Sequence, residues 1–204
     1  MPNATILGHL GLFVRRHFLT AKTCAEIRSE MATVARRPAM VRPHGKPGGA
    51  LDDKTRRTGI ASVSTATNAL VEDRLRAIQP ALEQHFQVQL AGQQGLSFYI
   101  YEEGDFFAAH QDADAYDPIA PDWVRKRQVS VSILLNHGLG IADAEAYGGG
   151  ELIFHGRRTD RIGTGFSIPL EGEEGMFIAF PADWMHEVRP VTSGRRYSIV
   201  TWFV

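Results

Sequence analysis

The chain has a single cysteine, Cys24, so no disulfide can form within it. It has no run of about 18 apolar residues, and no membrane-spanning helix is expected. A surplus of either charge is missing as well. The 22 Lys and Arg stand against 23 Asp and Glu, a net charge of −1, which argues against bulk electrostatic attachment to nucleic acid or to an anionic membrane. Internal repeats and low-complexity tracts are absent, so no repeat architecture is expected. Residues 6–14 are apolar, but His9 interrupts them and Arg15-Arg16 follow them, whereas a secretory leader carries its charge first. These absences describe a soluble, cytoplasmic protein.

What is present is an ordinary globular composition. A chain of 204 residues with 44% hydrophobic content is long enough for one domain with a substantial core. Leu10 to Val14 reads as a short strand leading to Phe18. Thr20 can cap a helix over residues 21–36, in which Cys24, Ile27, Met31 and Val34 recur on one face, and Pro38 stops it. Residues 40–58 are rich in Gly, Pro and charge and read as a loop or hairpin, either a lid over a site or plain surface. A second helix is expected after Thr67 or Asn68, with Val71, Leu75, Ile78 and Leu82 on its apolar face and Pro80 kinking or splitting it. From Gly95 the pattern turns to short strands and Gly-rich turns, as in the alternation of Val129, Val131, Ile133 and Leu135 with Ser130, Ser132 and Leu134. Residues 151–155, 165–170, 176–180, 187–191 and 195–204 supply further strands. Many short strands suggest a sandwich or double-stranded roll, and the two amphipathic helices would cover one of its sheets. Residues 113–127 and 137–149 interrupt the strands and suit the mouth of such a roll.

One stretch carries chemistry. His110-Gln111-Asp112 follows an aromatic, β-favouring run, and on extended backbone positions i and i+2 share a face. An imidazole and a carboxylate can therefore aim at one point. Neutral imidazole with a hard carboxylate suits a first-row divalent metal. Far downstream lies His186, then Arg196 and Ser198. The order H-x-D, H, R-x-S matches the two-histidine, one-carboxylate set of non-haem Fe(II) oxygenases, with Arg196 placed as a bidentate cation for a dicarboxylate cosubstrate. Arg195 is its rival, since neighbouring strand residues face opposite ways. His137 and His155 are alternative ligands without a motif around them, and His44 reads as a solvated loop residue. Tyr116, Trp123, Arg125 and Trp184 are conceivable substrate contacts or plain surface.

Together the motifs Tyr101-x-x-Gly104-x-x-Phe107-x-x-His110-x-Asp112, Tyr147-Gly-Gly-Gly-Glu151-Leu152, His186 and Arg195-Arg196-Tyr197-Ser198 give residues 96–204 a resemblance to the prolyl 4-hydroxylase-like group of 2-oxoglutarate- and Fe(II)-dependent dioxygenases. The resemblance implies a mainly β fold with flanking helices, a double-stranded β-helix or jelly roll of the cupin-like kind. Residues 95–204 would be the jelly-roll catalytic core of a single domain, and residues 1–94 an N-terminal helical and lid elaboration. It implies Fe(II) held by His110, Asp112 and His186, with O2 and 2-oxoglutarate as cosubstrates and ascorbate as reductant. Arg196 would pair with the far carboxylate of 2-oxoglutarate, helped by Ser198. Tyr101 resembles a tyrosine that contacts the cosubstrate, and Tyr99 shares its face. Leu134 stands where some prolyl hydroxylases place a second such tyrosine, a departure that removes that contact. Asp112 is a carboxylate where related halogenases carry a small residue, which implies hydroxylation. The substrate would be a small molecule, an amino acid or a peptidyl group.

Overall fold

A computed structural model describes residues 11–42, 48–113, 119–138, 145–156 and 167–204. In chain order its elements are β1 (Phe13–Arg15), α1 (Ala21–Thr33), β2 (Arg37–Pro38), β3 (Arg56–Arg57), β4 (Gly59–Ala61), α2 (Thr65–Phe86), β5 (Ser97–Tyr101), β6 (Phe106–His110), α3 (Asp122–Arg125), β7 (Val129–Leu134), β8 (Gly148–Gly149), β9 (Leu152–His155), β10 (Ser167–Leu170), β11 (Phe177–Pro181), β12 (His186–Val188), β13 (Val191–Ser193) and β14 (Arg196–Phe203). The major sheet runs β1-β11-β7-β14-β5-β4-β2 and the minor sheet β10-β9-β12-β6-β3, with β13-β8 as a separate pair. This is the mainly β jelly roll with flanking helices that the motifs imply. Among the described residues, no helix is long and apolar enough to cross a membrane.

Strand alternation builds the two cores. On the outer face of the major sheet, Phe98, Ile100, Val129, Val131, Ile133, Phe177, Ile199 and Phe203 meet Cys24, Ile27 and Met31 of α1 and Val71, Leu75 and Leu82 of α2. Burying each large apolar side chain contributes about 1.5–3 kcal/mol, so this face holds both helices in place. The next residue along each strand faces the other way. Tyr99, Tyr101, Leu134, Ile178 and Phe180 form a second core with Leu152, Phe154 and Val188 of the minor sheet. The candidate site lies between the sheets, on this inner side.

Several boundaries differ from the sequence expectation. The first helix stops at Thr33, and Val34 is exposed at its C-cap. The second begins earlier, because Ser64 caps it by accepting a hydrogen bond from the Thr67 N–H, and Glu30 of α1 accepts from the Ser64 N–H and the Thr67 hydroxyl. Pro80 does not split α2. Pro80 and Arg76, whose carbonyl loses its partner, both lie on the exposed face, where water can take the missing bond. The expected strand at 187–191 is two strands, β12 and β13, which pair with different neighbours. The stretch 40–58 contains β3, which closes the edge of the minor sheet, and a bridge between Val41 and Ala50; residues 43–47, with His44, lie outside the described residues. Of 113–127, residues 114–118, with Tyr116, lie outside them too, and α3 occupies part of the rest. β1, β2 and β4 belong to the major sheet, so the first 94 residues contribute strands as well as helices.

Candidate active site

β6 and β12 are antiparallel neighbours, and their register sets His110 directly opposite His186. Opposed residues of a ladder share a face, and here the two ring centroids are 4.2 Å apart. Each ring is oriented through Nδ1, which lies 2.8 Å from the Ala108 carbonyl in His110 and 2.8 Å from the Trp184 carbonyl in His186. A carbonyl only accepts, so each Nδ1 carries a proton, and each ring turns Nε2 toward Asp112. Packing fixes the rings further: Phe107 stacks on His110 at 3.5 Å, and Phe180 meets His186 edge-on at 4.7 Å.

Asp112 lies just past β6. Its N–H donates to the Ala182 carbonyl at 2.9 Å, which ties it to the turn between β11 and β12. One carboxylate oxygen is 3.7 Å from His110 Nε2 and the other is 3.5 Å from His186 Nε2. From the facing sheet, the Ser130 hydroxyl donates to Oδ2 at 2.7 Å. The three donor atoms lie within 4.8 Å of one another, and among the described residues no fourth His, Cys, Asp or Glu joins them. Burial disfavours the Asp112 charge, but the imidazoles of His186 and His110 and the Ser130 hydroxyl outweigh it and hold the carboxyl well below the usual carboxylate range. Burial, and after it His110, push the His186 ring down to about 4. Near neutral pH, Asp112 is therefore ionised and His186 is neutral, the protonation states a divalent ion requires. Two imidazole nitrogens and one carboxylate fit a first-row metal with positions left open, whereas a structural zinc site takes four protein ligands.

The donors open onto a cavity of about 870 Å³ lined from both sheets. Arg196 starts β14 opposite Tyr101 of β5, and Ser198, two residues on, shares its face. Arg196 is 2% exposed. Its Nη1 donates to Ser198 Oγ at 2.9 Å, its Nε has no hydrogen-bond partner, and among the described residues no carboxylate pairs with it. The Tyr101 ring lies 5.3 Å and the Tyr147 ring 6.0 Å from its Cζ. Burial pushes the Tyr147 phenol up, and Arg196 partly offsets that. Among the glycines after Tyr147, Gly150 makes room for the Arg196 side chain. Gly150 has φ +63°, and a Cβ there would stand 3.0 Å from Arg196 Cδ and 3.2 Å from the Tyr147 ring. Gly149 has φ +65°, and its Cβ would stand 2.3 Å from the Pro190 carbonyl oxygen.

His110, Asp112, His186, Tyr101, Arg196 and Ser198 thus line one cavity. Other candidates lie elsewhere. Arg195 is half-exposed and pairs with Glu102 at 3.2 Å, facing away from Arg196. His137 accepts from the Glu174 N–H at 3.3 Å, and His155 sits 3.1 Å from Ser167 Oγ; neither joins the donor group. Trp184 is a core residue that donates to the His155 carbonyl at 2.6 Å. Arg125 pairs with Asp122. Trp123 does line the cavity, half-exposed. Leu134 is buried between the sheets opposite Ser198, and the phenol near Arg196 comes instead from Tyr147. Ser130, Arg56 and Arg127 were not singled out by the sequence. For Ser130 a signal exists: a small polar residue on the inner face of a strand whose other residues are buried. Arg56 carries none, being one of several charges in a polar stretch.

Over residues 96–204 the chain matches the 2OG-Fe(II) oxygenase superfamily. Curated relatives include a PKHD-type hydroxylase of Synechococcus sp., 30% identical over 129 residues that make up 61% of this chain and 51% of the relative. Another, from Alteromonas mediterranea, is 32% identical over 107 residues, 52% of this chain and 41% of the relative. The chain thus spans about half or less of the length of the curated relatives it matches. Among solved structures, a Pseudomonas putida prolyl-4-hydroxylase superposes with a TM-score of 0.68 at 22% identity, covering 98% of this chain and 95% of the other. A Trichoplax adhaerens prolyl hydroxylase, in complex with a hypoxia inducible factor oxygen degradation domain peptide fragment, gives 0.69 at 15% identity, covering 98% and 86%. At those identities the likeness is one of fold. The family match, however, spans every one of His110, Asp112, His186 and Arg196, and the chain belongs to the 2OG-Fe(II) oxygenase superfamily.

Proposed function

We propose that this chain is an Fe(II)- and 2-oxoglutarate-dependent dioxygenase, one domain over residues 1–204. It hydroxylates an aliphatic C–H of a small-molecule, amino-acid or peptidyl substrate and releases succinate and CO2. The observation that carries this reading is a buried Arg196, without a carboxylate partner among the described residues, in the same cavity as the three-donor group. Burying a guanidinium without an anion is costly, and its planar fork suits a carboxylate. His110, Asp112 and His186 would hold the iron. Arg196, Ser198 and Tyr101 would hold the cosubstrate, with the distal carboxylate on Arg196.

When bound, iron with 2-oxoglutarate and O2 supplies an oxidant able to take hydrogen from an unactivated C–H. The protein's share is positioning. Ser130 keeps Asp112 turned toward both imidazoles, and the Ala108 and Trp184 carbonyls orient the rings. The carboxylate at 112 supports hydroxylation over halogenation. The relatives' name, PKHD-type hydroxylase, and the prolyl hydroxylases that share the fold support a hydroxylase. Ascorbate as reductant and a cytoplasmic location complete the proposal.

The test begins without oxygen. Adding 2-oxoglutarate to the Fe(II) protein should produce a visible charge-transfer band. In air, succinate should form in step with a one-oxygen mass gain on a substrate found by screening amino acids and peptides. A non-catalytic jelly-roll binding protein would show neither signal.

A further inference from the structure

We propose that the substrate of this cavity carries a carboxylate and that Arg56 receives it. The proposal rests on the cosubstrate reading above, which assigns Arg196 to 2-oxoglutarate, and concerns the second buried guanidinium of the same cavity. Arg56 is 9% exposed and lines the cavity. It sits on β3 directly opposite Phe107 of β6. Its Cζ is 4.3 Å from the Tyr99 ring centroid and 4.3 Å from that of Phe107, so two aromatic rings lie against the guanidinium. Its Nε is buried without a hydrogen-bond partner, and its polar neighbours are the phenols of Tyr101 and Tyr99. Among the described residues no carboxylate pairs with it.

The contrast with the next residue is informative. Arg57 faces the other way, pairs with Asp105 at 3.2 Å and donates to the Gly104 carbonyl. The chain can neutralise an arginine on this strand, and among the described residues it gives Arg56 no anion. Aromatic faces hold a guanidinium in place but do not cancel its charge. The Nε is left without an acceptor, and the planar fork of a guanidinium suits a coplanar, bidentate carboxylate.

Charge balance points the same way. Arg56, Arg127 and Arg196 line the cavity, against Asp112 as its one carboxylate among the described residues. Asp112 faces the metal position. Arg127 is engaged, donating to Gln94 and to the Asp112 carbonyl at 3.0 Å each and lying 3.5 Å over Trp202. With Arg196 given to the cosubstrate, Arg56 remains for a second anion. It is also close to the chemistry, because the Phe107 ring it covers stacks on the metal-facing His110. A cavity of about 870 Å³ has room for a cosubstrate and a small acid together. The same carboxylate could belong to a free acid or to a peptide, and the assay separates these sources.

The experiment uses the full chain, loaded with Fe(II) and 2-oxoglutarate without oxygen, and measures binding by calorimetry. One arm titrates benzoate, phenylacetate and hexanoate, each beside its amide. The other titrates end-blocked Gly-Glu-Gly beside Gly-Gln-Gly. In at least one arm the acid should bind about tenfold or more tightly than the amide, and which arm identifies the source. Arg56→Gln should remove that preference and move the 2-oxoglutarate midpoint by no more than about twofold, and Arg56→Lys should keep part of it. Circular dichroism checks the fold, and the Lys variant carries the test if the Gln variant unfolds. The proposal is overturned if no acid binds, if acid and amide bind alike, or if the preference survives Arg56→Gln. It is also overturned if Arg56→Gln weakens 2-oxoglutarate as Arg196→Ala does, because Arg56 would then serve the cosubstrate. If the wild-type chain takes up no 2-oxoglutarate, the cosubstrate reading is what fails, and the same acid and amide pairs then decide on Arg56 in the metal-loaded protein.

Discussion

Arg196→Ala tests the cosubstrate assignment apart from the metal. The side chain is 2% exposed, so solvent does not screen what it binds. Removing it leaves the distal carboxylate of 2-oxoglutarate in a dry wall with only the hydroxyl of Ser198 and nearby phenols as donors. Breaking a buried charge pair costs about 3–5 kcal/mol. At about 1.4 kcal/mol per decade, 2-oxoglutarate should bind roughly two to three decades more weakly. Metal affinity should hold, since no donor of the three-donor group changes. Arg196→Lys should restore only part of the loss, because a point charge replaces a planar fork. Arg195→Ala should have little effect, as that side chain is half-exposed and pairs with Glu102. The assay is titration of 2-oxoglutarate into the anaerobic Fe(II) protein and each variant, followed by the visible band. If Arg195→Ala is the variant that abolishes binding, the reasoning from β14's register is refuted. If neither variant matters, the cavity is not a 2-oxoglutarate site of this kind.

Ser130→Ala removes the 2.7 Å hydrogen bond to Asp112 and should weaken divalent-metal affinity by about tenfold to a hundredfold, measured by competition with a chelating dye. Divalent metal should raise the Tm of the wild-type chain, because a ligand that binds only the folded state stabilises it, and Asp112→Ala should abolish that rise. Burial, with Glu174 adding to it, pushes the Cys24 thiol up to about 12 from an ordinary 9.0, so alkylation at pH 8 should be slow in the native protein and fast in urea. The raised folded-state value means that this group's contribution to stability is complete below pH 9.0 and declines as pH climbs toward 12, which denaturant titrations across that window check. Gly149→Ala forces a Cβ to 2.3 Å from the Pro190 carbonyl oxygen at a positive φ, and should lower stability by more than about 1 kcal/mol in a urea melt.

The inner face of the roll was largely legible in the sequence because strand alternation has one period and two faces. That period puts Arg196 with Ser198 on β14, while Asp112, just past the end of β6, is held beside His110 by its bond to the Ala182 carbonyl. The partners across the sheets were not legible. Nothing local says that Ser130 will reach Asp112, since their meeting depends on how β7 stacks over the end of β6. Arg56 was hidden for a different reason. Its stretch reads as polar loop, and only pairing with Phe107 turns it inward. Helix ends were misplaced where a tertiary contact decided them: Glu30, on another helix, anchors the Ser64 cap. Pro80 does not split its helix, and sequence does not reveal that the lost bond faces water.

The cross-strand pairing of His110 with His186 also has a kinetic meaning. The two residues are far apart in sequence, and closing a loop of that length is an entropic cost the chain must meet before the contact rewards it. A slip of one residue in β6 or β12 would turn an imidazole out of the roll. The helices, by contrast, depend on local bonds and can form within microseconds. During refolding, far-ultraviolet ellipticity should therefore recover first, and the ability to capture a divalent ion should lag behind it. The interval between the two signals would time the closure of the minor sheet.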